Sequence, residues 1–119
     1  MEDIIVTTTD NLDGYKIQTY IGLVVGEVVL GMGFVRDWLA SVKDKLGGRV
    51  HGFEDALKDA ERDAVFKMVE RAKNTGANAV IGIRFNHEVL SPGGTGTELV
   101  IIVNGTAVYA VRDIDATTQ

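Results

Sequence analysis

The alternation of apolar and polar residues predicts two strands in the first part of the chain. Residues 4–8 form a short β-branched run, and the turn-forming stretch at residues 10–14 follows it. Side chains then alternate from Tyr15 to Leu30, which predicts a long second strand whose odd-numbered residues share one face. Beyond Tyr20 the even-numbered face also becomes apolar or small, so we expect both faces to be covered, one of them by another subunit.

Two more alternating segments predict strands near the end of the chain, at residues 79–90 and 99–112. The turn-forming residues 91–96 lie between them and favour a hairpin. Within the last strand, Asn104 and Gly105 interrupt the pattern, which predicts a bulge or a close approach of another backbone there.

Apolar residues recur at helical spacing in two segments between the second and third strands. The first predicts a helix over residues 35–46, ended by glycines at 47–48 and followed by a connector at 49–52. The second predicts a helix over residues 53–74, stopped by Gly76. Its apolar stripe consists of Phe53, Leu57, Ala60, Ala64, Met68 and Ala72. The order β-β-α-α-β-β predicts an α+β fold with two helices on one face of a mostly antiparallel sheet.

Composition narrows the class of protein. A chain of 119 residues fits one domain, which we place at residues 1–112, with a flexible tail at 113–119. Seventeen acidic and twelve basic residues give a net charge of −5, which disfavours nucleic acid and anionic membranes as partners. Neither a signal-peptide pattern nor an apolar run of about 20 residues is present, so we expect a cytoplasmic protein.

The residue types that carry most catalytic and metal chemistry are sparse. The sequence has no cysteine, which excludes disulfides, thiolate nucleophiles and cysteine-based zinc sites. His51 and His87 do not have the spacing of metal ligands, and we expect His87 to be a satisfied side chain at the edge of the core. The turn at residues 31–33 has two glycines of a dinucleotide fingerprint, but Arg36 stands where the third would be.

Glu27 is the unusual residue of the second strand, because its face otherwise carries apolar side chains. Burial of an unpaired carboxylate raises its pKa, so we expect a lysine or arginine from a helix or a neighbouring subunit beside it. Metal or proton chemistry at this carboxylate is the alternative. Arg36, at the start of a predicted helix, needs an acid or an anionic ligand, and Asp37 is the nearest acid.

Several short stretches resemble the YbjQ-like family of small bacterial and archaeal proteins. They are Gly26-Glu27-x-x-Leu30-Gly31, Arg36-Asp37 and Gly47-Gly48-Arg49, and the stretches at residues 76–82 and 104–108 agree in order and spacing. The resemblance implies an α+β subunit that joins other copies through its strands into a ring, with five subunits expected. It also implies four positions of interest as ligand-binding or interface residues, namely Glu27, Arg36, Asp37 and Arg49.

Two functions from different classes follow. The first is a homo-oligomeric, pentameric binding or interaction module without evident catalysis, whose partners are other copies of itself. The second is a small-ligand or metal-binding protein with its site at a subunit seam. The family carries a label of heavy-metal binding, and a divalent metal is the one cofactor this alternative would involve. The lack of cysteine, the soft ligand that heavy metals favour, weighs against it.

Overall fold

The computed structural model describes residues 4–30, 48–90 and 98–113. These residues form four strands and one helix. The strands are β1 (Ile5–Val6), β2 (Tyr15–Leu30), β3 (Ala79–Leu90) and β4 (Glu98–Arg112), and the helix is α1 (Gly48–Asn74). The bounds of β2 and β3 confirm the prediction from alternation, and β4 begins one residue earlier than predicted.

The four strands form one mixed sheet in the order β1-β3-β4-β2. β4 pairs antiparallel with β2 and with β3, whereas β1 pairs parallel with β3, with Ile5 opposite Ala79. The predicted fold, a mostly antiparallel sheet with two helices on one face, is therefore wrong: the described residues form a mixed sheet and a single helix. The reason is that the turn after β1 leads the chain to the opposite edge of the sheet, so β1 and β2 do not pair. The predicted helix at residues 35–46 lies outside the described residues.

The pairing of β2 with β4 shifts register twice, between Ile17 and Thr19 and between Tyr20 and Gly22. Each shift adds one unpaired residue to β2, so the unbroken alternation predicted for this strand fails between residues 17 and 22. From Gly22 onward the pairing is regular. The residues of this part that face the helix are Val24, Gly26, Val28 and Leu30.

Helix α1 packs on one face of the sheet, mainly over β2 and β4. Small residues on its buried face allow the close approach, and the predicted stripe is confirmed by the burial of Ala60, Ala64, Met68 and Ala72. Gly26 of β2 lies directly beneath the helix. A Cβ atom at Gly26 would collide with the backbone carbonyl oxygen of Ala64 and would lie 2.8 Å from the backbone nitrogen of Met68.

The end of α1 was predicted correctly and its beginning was not. Gly76 adopts a φ of 91°, and its N–H donates to the carbonyl of Lys73 at 3.0 Å, while the N–H of Ala77 donates to the carbonyl of Ala72 at 3.3 Å. These bonds close the helix in a Schellman motif. At the other end, Gly48 begins the helix, although the sequence predicted that it would end an earlier one, and residues 49–52 are helical and not a connector. Glycine is found at the start of helices as well as after their end, so the glycines at 47–48 do not show whether a helix begins or ends there.

A second apolar cluster lies on the face of the sheet opposite α1. The loop between β1 and β2 brings Leu12 against the buried side chains Ala79, Ile81, Val108 and Ala110. This loop covers only the end of the sheet where β1 lies, because the cluster includes Tyr15 and Ile17 of β2 but no residue later in that strand.

The interruption predicted at Asn104 and Gly105 is confirmed as a close backbone approach beside a bulge. Ile81 pairs with Thr106 and Arg84 pairs with Asn104, so two residues of β3 stand opposite Gly105. A Cβ atom at Gly105 would lie 2.6 Å from Cγ1 of Val80 and 3.1 Å from the backbone carbonyl oxygen of Ile81, which explains the glycine. The extra residue is in β3, the partner strand.

Candidate functional site

Glu27 lies in the middle of β2, which is an edge strand because, among the described strands, it pairs with β4 alone. Arg71, in the last turn of α1, reaches over this edge. Its Nη1 donates to Oε1 of Glu27 at 2.9 Å, and its Nη2 donates to Oε2 at 3.2 Å. Two parallel bonds between a guanidinium and a carboxylate are a strong and directional contact. The prediction that a basic residue from a helix or a neighbouring subunit would partner Glu27 is confirmed by Arg71.

The same helix residues also bind the backbone of the edge strand. Nη1 of Arg71 donates to the carbonyl oxygen of Val25 at 2.7 Å, and Nζ of Lys67 donates to the carbonyl oxygen of Glu27 at 2.9 Å. We call Val25, Glu27, Lys67 and Arg71 the edge clamp. Because both carbonyl oxygens accept side-chain bonds, this part of β2 is less available for pairing with another strand.

The charges of the edge clamp favour the ionised carboxylate. The hydrogen bond from Arg71 holds the pKa of Glu27 below its usual value; partial burial opposes this, and the positive charges of Arg71 and Lys67 add to the lowering. The same hydrogen bond raises the pKa of Arg71. Glu27 is thus an anion at neutral pH with both oxygens already accepting from Arg71. It is poorly suited to act as a general base.

Outside the edge clamp, His87 of β3 forms another polar contact between the helix and the sheet. Its Nε2 lies 3.0 Å from Oε2 of Glu61 on α1, and both side chains are partly exposed. The prediction of a satisfied histidine at the edge of the core is confirmed. Within the described ranges, no group of three or more histidine, cysteine, aspartate or glutamate side chains could hold a metal ion.

The four residues singled out from the sequence are not all placed. Glu27 belongs to the edge clamp, and Arg49 lies in the first turn of α1. Arg36 and Asp37 lie outside the described residues. A site that these four residues share, within one copy or between copies, therefore stays a prediction.

The sequence analysis did not single out Lys67 and Arg71. A signal was present: the two basic residues are four apart on α1, so they lie on one side of the helix beside the buried stripe. From the helix sequence alone, Arg71 is expected only to complement the negative end of the helix dipole. Its partner on the strand, Glu27, is 44 residues away in the sequence.

The face of the sheet opposite α1 carries several apolar side chains along the second half of β2 and the facing part of β4, with polar Asn104 and Thr106 opposite Val25 and Leu23. Leu23 is 73% exposed and Val29 is 54% exposed. The alternation from Gly22 onward places Leu23, Val25, Glu27 and Val29 on this face. We call the following residues the open sheet face: Tyr20, Leu23, Val25, Val29, Val100 and Ile102. In the part of the chain that the structure describes, each of these side chains is half-buried or exposed.

Comparison with known proteins places the chain in a family. A family model described as "Putative heavy-metal-binding" matches residues 4–111. A UPF0145 protein from Anoxybacillus flavithermus is 47% identical over 105 residues, which cover 88% of this chain and 96% of that protein. A UPF0145 protein from Carboxydothermus hydrogenoformans is 42% identical over 106 residues, covering 89% and 95%. The chain belongs to the YbjQ-like family.

A solved structure shares the fold of this YbjQ-like chain. A protein of unknown function from the DUF74 family of Pediococcus pentosaceus aligns with a TM-score of 0.60 at 19% identity. The alignment covers 91% of this chain and 98% of that one. The one helix described for this YbjQ-like chain is not apolar enough to cross a membrane.

The described residues do not fit the heavy metal named in the description of the YbjQ-like family. A cation at Glu27 would have to displace the guanidinium of Arg71 from both carboxylate oxygens. His87 and Glu61 supply only two donors, and the chain has no thiolate, the ligand that soft metals favour.

Proposed function

We propose that this YbjQ-like chain is a self-assembling binding or interaction module without catalysis, whose open sheet face packs against other copies of the chain. The observation that carries the proposal is the exposure of Leu23 and Val29 on a face that also carries Val25, Val100 and Ile102. Monomeric proteins rarely leave a contiguous apolar patch of this kind in water, and such patches mark contact surfaces.

The edge clamp makes this face suitable for burial. Glu27 is the charged residue of β2 that lies among the apolar side chains of the face, and transfer of a lone carboxylate out of water is costly. Arg71 neutralises that charge through two hydrogen bonds and stays attached to the helix of the same copy. A partner can therefore cover the face without having to supply a cation.

The shape of the chain supports assembly as well. The molecule measures 67 × 32 × 24 Å and has a radius of gyration of 18.7 Å, whereas a compact chain of this length is expected near ~13.5 Å. Long strands that extend beyond their own core gain burial when they meet another copy. We propose a ring, for which the family resemblance implies five subunits. A ring requires that one surface of each copy meets a different surface of the next.

The alternative, a ligand or metal site at a subunit seam, gains no support from the described geometry. The carboxylate that motivated it, Glu27, is paired within its own subunit. We therefore assign Glu27 a structural part in the assembly surface.

The test is the native mass of three proteins. The wild-type chain is expected to have the mass of several subunits, and Leu23→Glu is expected to have a lower mass, because it places an unpaired charge in the open sheet face. Phe66→Glu is the matched control: Phe66 is 63% exposed on the helix, away from that face, and its variant should keep the wild-type mass. A monomeric wild type, or an unchanged oligomer in Leu23→Glu, would refute the proposal.

A further inference from the structure

The two edges of the sheet are protected to different degrees. Along β2, the register shifts add unpaired residues Gln18 and Ile21, and the edge clamp occupies the carbonyl groups of Val25 and Glu27. Bulges and side chains that bind the backbone are two ways in which proteins prevent pairing at an edge strand. The β2 edge is therefore a poor template for a second strand.

At the other edge, β1 and the residues after it cover only the beginning of β3. Thr7 donates its N–H to the carbonyl of Val80 at 3.0 Å and accepts the N–H of Ile83 at 3.1 Å. The covered part of the β3 edge ends at Arg84, whose Nη1 donates to the carbonyl oxygen of Thr8 at 3.1 Å. The six residues from Arg84 to Val89 are all exposed.

The backbone of this exposed segment is arranged to pair outward. The N–H of Ile83 points away from β4, and backbone groups of alternate strand residues point to the same side, so those of Phe85 and His87 also point outward. Among the described residues, none forms a backbone hydrogen bond with this side of β3 after Ile83. An open strand edge of this kind is a template for another strand.

The segment is complementary to itself when two copies run antiparallel about Asn86. Arg84 then lies opposite the partner's Glu88, and Phe85 lies opposite the partner's His87. Both ends of the contact thus bring together opposite charges, which stabilise cross-strand pairs. A parallel in-register pairing would instead place like charges beside each other at both positions. The outward backbone groups at Phe85 and His87 would exchange hydrogen bonds with the partner's His87 and the partner's Phe85.

We propose that residues 84–88 of β3 form a twofold contact with the same segment of a second copy. This inference rests on the proposed self-assembly and adds to it a contact along the edge of β3, beside the open sheet face, where Asn86 pairs with Ile102 and Glu88 pairs with Val100. A ring formed through the sheet face and a twofold contact through β3 are compatible when the twofold axis crosses the ring axis at a right angle, which gives dihedral symmetry.

The absence of cysteine allows a direct test by single-cysteine crosslinking. Asn86→Cys would lie opposite its own copy in a pair whose Cα atoms are ~4.5 Å apart, and a disulfide tolerates about 4.4–6.8 Å. We expect it to form a disulfide-linked dimer under mild oxidation. Arg84→Cys and Glu88→Cys serve as matched controls, because each is about 13 Å from its own copy in this register. Neither alone should crosslink, whereas an equal mixture of the two should.

The expected result is a dimer band for Asn86→Cys, and for the mixture, at least about tenfold stronger than for either control alone, as the distance limit on disulfides requires. Equal crosslinking of all the single variants, or none for Asn86→Cys, would overturn the twofold contact. Native mass of the reduced proteins separates the two proposals. An oligomer without the Asn86→Cys crosslink refutes this contact alone, and a monomer refutes the proposed self-assembly as well.

Discussion

At the scale of single residues, the contact between Glu27 and Arg71 shows how one ion pair can protect a strand edge from pairing with another strand. Their side chains are 43% and 49% exposed, so water screens the attraction and the pair by itself adds little stability. Its effect is local: it holds Arg71 where it also caps the carbonyl of Val25, and it neutralises the charge on an apolar face. The sequence could predict that Glu27 needs a cation, but only the packing of α1 on β2 selects Arg71.

The lowered pKa of Glu27 gives a pH-dependent prediction. Because the folded-state pKa lies below the usual value of 4.5, ionised Glu27 stabilises the fold above that pH, and the stabilisation is lost as pH falls through the folded-state pKa. The wild type should therefore be slightly more stable than Glu27→Gln at neutral pH, and the difference should close in acid. Urea midpoints over a pH series measure it, with Asp59→Asn, from the exposed pair with Arg62, as the control. A difference that widens on acidification would contradict the assignment.

At the scale of elements, the sequence patterns correctly predicted those features of the strands and the helix that depend on neighbouring residues. The period-two alternation gave the bounds of β2 and β3, and Gly76 gave the end of α1, because these depend on residues close in sequence. The parallel pairing of β1 with β3 depends on contacts more than 70 residues apart, so no local pattern carries it. The edge clamp escaped prediction for the same reason, since its partners come together only when α1 lies on the sheet.

The packing of α1 on β2 gives the prediction at this scale. Gly26→Ala places a methyl group against the backbone of the helix at Ala64, which cannot move away as a flexible side chain could. The helix must shift, and overpacking of this kind costs about 1–3 kcal/mol of unfolding free energy, measured by urea denaturation. Gln18→Ala, at an exposed position of the same strand, should change stability by no more than about 0.5 kcal/mol. Equal losses in both variants would show that the close approach at Gly26 does not limit the packing.

At the scale of the whole molecule, one side of the sheet is covered by the chain's own helix, and the other is covered, as far as the described residues go, by a loop at one end. The remaining apolar surface and the open part of β3 lie away from that loop. In the first half of β2, Tyr15 and Ile17 are thus partly buried by the loop of their own chain, whereas side chains of the second half on the same side are left exposed. Self-association would complete the sheet on that side.

If association completes the fold, stability must depend on protein concentration. Binding of other copies to the native state alone stabilises that state by mass action, so the Tm of the wild type should rise by a few degrees for each tenfold increase in concentration. The Tm of Leu23→Glu should be lower and should depend less on concentration, because that variant loses the contact through the open sheet face. Phe66→Glu should behave as the wild type does. A wild-type Tm that stays constant over a wide concentration range, together with a monomeric mass, would mean that the exposed apolar face is tolerated in water. A weaker dependence on concentration in Leu23→Glu than in the wild type would instead locate a stabilising contact on the open sheet face, since Leu23 lies on the side of the sheet opposite α1.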